Sequence, residues 1–166
     1  LILAVSLILI AGTASAQDLE AEKPTILPGS PFYFLKEWTR QVQSFLTFNP
    51  LAKAELKEKF ANEKLAELQE TIEQQKVQER IEKALRIYQE EAEKARTAAE
   101  KIRERVESSE KTESFLDKFV RNQFLHQEIL QKLENLVPEQ AMEKIREARE
   151  AHLENFGEVM LKLESN

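Results

Sequence analysis

The chain has 166 residues, of which 42% are apolar and 33% are charged, and its formal net charge is −6. That acidic balance disfavours nucleic acid and anionic lipid as partners, because both attract a basic surface. The sequence contains no cysteine, which excludes disulfides, thiol catalysis and lipid attachment to a cysteine. Only three glycines and five prolines interrupt the chain, so the elements are expected to be long.

The first ten residues are apolar except for Ser6, and Ala14-Ser15-Ala16 follows shortly afterwards. Small residues at the first and third positions before a cleavage site are typical of a secretory signal. We therefore predict a signal peptide at residues 1–16 that is already truncated at its N-terminus, and an exported protein. The expected location is the periplasm, the extracellular space or the outer face of the cytoplasmic membrane. No membrane segment is expected after cleavage, although an uncleaved anchor stays open as an alternative.

Residues 17–29 are polar and carry Pro24 and Pro28, which predicts an extended linker. A helix is predicted to start at Ser30-Pro31, since serine can cap free N–H groups and proline suits the first helical position. Apolar residues then recur at helical spacing until about Thr47. These residues are Phe32, Leu35, Trp38, Val42 and Phe45.

Asn49-Pro50 predicts the end of that helix and the cap of the next. From Leu51 to Val106 there is neither glycine nor proline, so helix propensity alone allows one long helix. The apolar stripe slips by one residue after Ile72, however, and the intervening residues are polar. A break near Gln74, giving two helices, is the favoured interpretation.

Two further helices are predicted, one from about Glu113 to Leu136 and one after Val137-Pro138. Short connections between long amphipathic helices favour antiparallel neighbours. The predicted fold class is therefore all-α: an antiparallel bundle of four to five amphipathic helices at residues 30–164, after a signal peptide and an extended linker.

The segment Leu27-Pro28-Gly29-Ser30-Pro31-Phe32-Tyr33-Phe34-Leu35-Lys36 resembles the opening motif L-P-x-S-P-x-Y-x-L-K of a bacterial, exported domain family of unknown function. The similarity continues through Leu46–Pro50, a helix like Ala52–Leu68, and the segments His126–Leu130 and Val137–Ala141. One departure is Ala61-Asn62-Glu63-Lys64-Leu65, where family members often have A-E-R-R-L. The resemblance implies a bacterial extracytoplasmic helical domain and implies no catalytic residues.

The first helix has the densest group of aromatic side chains. The favoured interpretation is that they pack in the core. The alternative is a helix that docks on a partner. The candidate docking residues are Phe32, Tyr33, Phe34 and Trp38.

The two histidines, His126 and His152, are expected to approach each other if the last two helices form a hairpin about Val137-Pro138. With Glu128 or Glu150 they would form a two-histidine, one-carboxylate metal site. The favoured interpretation is instead two partly buried core histidines, so no metal and no cofactor are predicted.

The many glutamates are interpreted as surface residues, where no pKa shift suited to acid–base catalysis is expected. Motifs for phosphate loops, serine nucleophiles and zinc proteases are missing from the sequence. We predict a non-enzymatic extracytoplasmic domain that acts by contact with an unidentified envelope protein. A periplasmic-type chaperone and a stress- or metal-sensing module are the alternatives. The sequence leaves the oligomeric state open.

Overall fold

The computed structural model describes residues 16–19, 21–74 and 77–164. The predicted signal peptide lies outside the described residues, apart from Ala16. All regular secondary structure in the described part is helical. A short 3-10 helix spans Ala16–Leu19, and five α-helices follow: α1 (Tyr33–Leu46), α2 (Pro50–Glu73), α3 (Gln78–Arg105), α4 (Glu110–Glu134) and α5 (Glu139–Glu164). The predicted all-α bundle is confirmed.

Helices α2 to α5 run up and down and share two groups of buried apolar side chains. One group lies at the end where α2 meets α3 and α4 meets α5. It includes Leu68, Ile72, Ile81, Leu85, Leu130, Leu133, Ala141 and Ile145. The other lies at the opposite end and includes Ala54, Ala61, Ala99, Ile102, Phe115, Phe119 and Val159. Helices α2 and α4 reach the first group with their C-terminal ends, whereas α3 and α5 reach it with their N-terminal ends. Sequential neighbours are therefore antiparallel.

The break predicted near Gln74 is confirmed, since α2 ends at Glu73 and α3 begins at Gln78. The cap predicted at Asn49 is also present. Its side chain accepts a hydrogen bond from the Ala52 N–H at 3.0 Å, and Pro50 occupies the first helical position. Both features follow from local residue chemistry, without reference to tertiary contacts.

Two predicted helix starts are wrong, that of α1 by two residues and that of α4 by three. Helix α1 begins at Tyr33, because a turn at Leu27–Ser30 precedes it and Gly29 has a φ of +95°. The Ser30 hydroxyl accepts a long, 3.4 Å bond from the Phe32 N–H. Helix α4 begins at Glu110, because the Ser109 hydroxyl caps its first turn by accepting from the Thr112 N–H at 3.2 Å.

The segment before α1 is not extended throughout, in contrast to the prediction for residues 17–29. Its first residues belong to the 3-10 helix, and Leu19 is only 3% exposed within the apolar group at the α2–α3 turn end. Pro28 is also buried. The segment therefore packs against the bundle rather than leading freely away from it.

Helix α2 is the central element, with buried residues on almost every side. Several of those buried residues are polar or charged: Glu58, Asn62, Lys64, Glu67, Gln69 and Thr71. The interpretation of the glutamates as surface residues is wrong for Glu58 and Glu67, which are 4% and 1% exposed. Buried charges need partners, and those partners determine how α1 is attached.

Candidate docking surface and buried polar chain

Helix α1 packs on α2 through its polar side. Lys36, Glu37 and Arg40 of α1 face Glu63, Lys64 and Glu67 of α2, and we call these six residues the ionic cluster. The cluster contains three cations and three carboxylates and is therefore neutral. Tyr33, the first residue of α1, completes the contact as a buried side chain.

Glu67 is the centre of the ionic cluster. Its carboxylate accepts from the Tyr33 hydroxyl at 2.7 Å, lies 2.7 Å from Lys36 Nζ and 3.1 Å from Lys64 Nζ, and accepts from Arg40 at 3.3 Å. Lys64, which is 1% exposed, also contacts Glu37 and Tyr33. Arg40 contacts Glu63 as well. Every charged residue of α1 is thus engaged on the side that faces the bundle.

The electrostatics of Glu67 follow from these contacts. Burial alone would raise the pKa of its carboxyl, but Lys64, Lys36 and the Tyr33 hydroxyl together hold the pKa below its usual value. The carboxylate is therefore stabilised in its charged form by this particular arrangement of partners. Burial, together with the Glu67 carboxylate, raises the pKa of Tyr33 and keeps its hydroxyl protonated as a donor.

The apolar side of α1 faces solvent. Eight large apolar side chains in and beside the helix are exposed, and we call them the aromatic face: Phe32, Phe34, Leu35, Trp38, Val42, Phe45, Leu46 and Phe48. Their exposed fractions run from 37% at Val42 to 82% at Phe48. The favoured interpretation of these aromatics as core residues is therefore wrong, except for Tyr33, which is 8% exposed.

Most of the aromatic face lies on one side of α1. At about 100° per residue, the six of its residues within α1 fall in an arc of about 120°, roughly opposite the arc that holds the ionic cluster. Taking ~200 Å² for a whole aromatic side chain, the five exposed aromatics leave roughly 700 Å² in water. That exceeds the roughly 300–600 Å² of the largest apolar patch on a typical monomer.

Covering this face would be energetically favourable. Burying roughly 700 Å² of apolar surface is favourable by on the order of 15 kcal/mol, at ~25 cal/mol per Å². The net contribution of a buried ion-pair cluster is much smaller, and is often near zero against an apolar replacement. This orientation of α1 therefore contributes little to the folding free energy of the isolated protein. A complex with a covering surface would gain much more free energy from it.

A second feature is a buried chain of polar side chains that crosses the bundle. The His126 ring, which is fully buried, lies 2.8 Å from Asn62 Oδ1 through Nε2 and 3.1 Å from the Tyr88 hydroxyl through Nδ1. The Tyr88 hydroxyl is also 3.4 Å from His152 Nδ1, and His152 Nε2 is 3.4 Å from the Gln123 carbonyl oxygen. The chain links α2, α3, α4 and α5.

The proton positions between Asn62 and Tyr88 follow from the hydrogen bonds of Asn62. Asn62 donates through Nδ2 to the Leu19 carbonyl, so its Oδ1 accepts from His126 Nε2–H. His126 Nδ1 is then the acceptor for the Tyr88 hydroxyl. Burial lowers the pKa of His126 well below its usual value and that of His152 to about 4, so both rings are neutral at pH 7.

The two histidines approach each other, with ring centroids 5.5 Å apart. Glu128 and Glu150, the carboxylates considered as further ligands, are exposed instead. Within residues 16–19, 21–74 and 77–164, no three histidine, cysteine or acidic side chains are grouped so that they could hold a metal ion. Both His126 nitrogens are occupied by hydrogen bonds, so the arrangement favours a structural brace over a metal centre.

Tyr88→Phe should lower the free energy of unfolding by about 1–3 kcal/mol, because it leaves buried His126 Nδ1 without a donor. Urea denaturation near neutral pH measures this. His126→Leu in the same background should cost less than in the wild-type background, since the two residues share one hydrogen bond. Strict additivity of the two substitutions would contradict the hydrogen bond between Tyr88 and His126.

Sequence reasoning missed Asn62 and Tyr88 as members of this chain. Tyr88 lies on the apolar stripe of α3, and Asn62 lies next to Ala61 on the stripe of α2. A polar group on an apolar stripe was the available signal, since a buried polar group needs a partner. Pairing Asn62 and Tyr88 with His126 required knowledge of how the helices pack.

Comparison with protein families gives a match over most of the chain. The model of the family described as "Domain of unknown function (DUF5667)" matches residues 25–166. Neither a curated protein nor a solved structure matches the chain. None of the helices in the described part is long and apolar enough to span a bilayer. Because the match covers most of the chain, the chain belongs to the DUF5667 family of domains of unknown function.

Proposed function

We propose that this chain is an exported, non-enzymatic domain of the cell envelope that acts by protein–protein contact, with the aromatic face of α1 as its docking surface. The observation that carries the proposal is the inverted orientation of α1. Its charges are engaged with α2 while its apolar side chains face solvent. A large apolar surface on a folded domain is typical of a protein interaction site.

The ionic cluster supports the proposal because it opposes rotation of α1. Turning the aromatic face inward would separate the three α1 charges from Glu63, Lys64 and Glu67, and would leave Lys64 and Glu67 buried without their α1 partners. An unpaired buried charge costs several kcal/mol. The docking surface is therefore preorganised, which reduces the entropy cost of binding.

The shape of the surface favours a specific contact over a chaperone. The aromatic face is the outer side of one helix, on a ridge about 20 Å long at 1.5 Å per residue. A holdase would be expected to present a broad apolar concavity. A cleft between α2 and α4 is lined mainly by polar and charged side chains instead, among them Glu55, Lys59 and Lys118.

Trp38→Gln combined with Phe45→Gln should abolish recovery of a stoichiometric partner from envelope extract, because these two side chains of the aromatic face are 64% and 78% exposed. Leu161→Gln is the matched control, since Leu161 is 70% exposed on α5. Crosslinked pull-down read by mass spectrometry measures the difference. Equal recovery with all variants would contradict the proposal, and many unrelated unfolded proteins would favour the chaperone.

A further inference from the structure

We infer, building on the docking role proposed above, that the surface which covers the aromatic face is the same face of a second copy of this chain. The two copies are related by a two-fold axis that crosses α1 near position 40. In such an interface each patch must be complementary to itself. The spacing, the charge and the area of the aromatic face each bear on this.

The spacing along α1 is that of a helix pair. Leu35, Trp38, Val42 and Phe45 recur at steps of three, four and three residues, which is the a/d pattern of a coiled-coil seam over two heptads. Antiparallel pairing about position 40 places Trp38 opposite Val42 of the second copy. It places Leu35 opposite Phe45 of the second copy, so a large side chain always faces a smaller one.

The charge of this surface permits self-association. The positions that flank the seam in the middle of α1 are Thr39 and Gln41, which are exposed and uncharged. Like charges on two identical faces would repel each other, and none is present there, because Lys36, Glu37 and Arg40 all face α2. A membrane surface fits less well, since helices that lie on anionic lipid carry exposed lysine or arginine beside the apolar stripe.

The area matches a stable dimer. Complete burial of the five exposed aromatics of each copy, Phe32 and Phe48 outside α1 included, would give roughly 1,400 Å² in total. Specific protein interfaces of standard size bury about 1,200–2,000 Å². The single tryptophan of the chain, Trp38, would lie at the centre of this interface, where tryptophan contributes most to binding.

Sedimentation velocity and Trp38 fluorescence test the inference on the exported protein as the cell processes it. Rising concentration should produce a dimer and shift Trp38 emission to the blue as water leaves the indole. Phe45→Gln should weaken dimerisation at least ~10-fold, and Leu161→Gln should not change it. A monomer at every concentration would overturn the inference.

Disulfide trapping tests the two-fold geometry, and the absence of native cysteine makes each single-cysteine variant unambiguous. Gln41→Cys should form a disulfide-linked dimer, because position 41 flanks the seam beside the axis and meets its own copy. Gln43→Cys, exposed on another side of α1, should not. A disulfide forms readily only when the two Cα atoms approach within about 7 Å. Equal trapping of both variants would overturn the proposed axis.

Adding envelope extract or lipid vesicles to the protein distinguishes this inference from the docking role on which it rests. Suppose the protein stays monomeric and its Trp38 emission shifts to the blue on addition of envelope extract but not of lipid vesicles. That result would overturn a second copy as the occupant of the aromatic face, and it would leave docking of another protein on this face intact. A shift with phosphatidylglycerol vesicles alone would overturn both.

Discussion

Replacing Glu67 by Gln should lower the free energy of unfolding by about 3–5 kcal/mol, the usual cost of breaking a buried ion pair. The amide keeps the shape of the side chain but removes the negative charge beside Lys64, which is 1% exposed, and beside Lys36 and Arg40. An excess of buried positive charge then remains between α1 and α2. Urea denaturation followed by circular dichroism measures the loss.

The matched control is Glu90→Gln. Glu90 pairs with Arg86 on the exposed side of α3, where both side chains are more than half exposed. Exposed pairs of this kind contribute about 0.3–0.5 kcal/mol. A loss at Glu67 no larger than the loss at Glu90 would mean that the ionic cluster does not hold α1 in place.

Glu58→Gln should make the protein more stable than the wild type near pH 8, by on the order of 3 kcal/mol. Burial raises the pKa of Glu58 from 4.5 to about 7, against the opposing hydrogen bond from Asn122. Because the folded pKa is the higher one, the contribution of Glu58 is fully present below pH 4.5 and is lost as the pH rises through 7. Urea denaturation across this range measures the difference between variant and wild type, which should vanish near pH 4.5.

The histidines act in the opposite direction. His152 has a pKa lowered from 6.5 to about 4, and that of His126 is also lowered. Their contribution is present above pH 6.5 and is lost as the pH falls through the folded values. In the wild type one glutamate opposes two histidines between pH 4.5 and 6.5, so stability should fall with falling pH about half as steeply as in Glu58→Gln. A flat profile in the variant would contradict the burial of the histidines.

Most of the bundle could be predicted from the sequence because its signals are local. The helix break at Gln74 follows from a slip in the apolar stripe, and the cap at Asn49 follows from the chemistry of one side chain. The approach of His126 to His152 follows from pairing the last two helices about Val137-Pro138. Each of these needs only helical periodicity and the shortness of the connection.

The orientation of α1 could not be predicted in this way. The pattern of α1 indicates an apolar side that faces the core, and the glutamates and lysines of α2 indicate a solvated surface. Both inferences fail together, because Lys64 and Glu67 of α2 are buried and are matched by Lys36, Glu37 and Arg40 of α1. Periodicity identifies which side is apolar but not whether the opposite side finds complementary charge.

The most direct measurement of the central claim is photocrosslinking in living cells. A benzophenone amino acid at position 45, on the exposed aromatic face, should yield one defined crosslinked protein. The same residue at position 161, exposed on α5 outside that face, should yield none above background. A product at position 45 alone is the result predicted for a docking surface on α1. Equal products at both positions, or none at position 45, would contradict it.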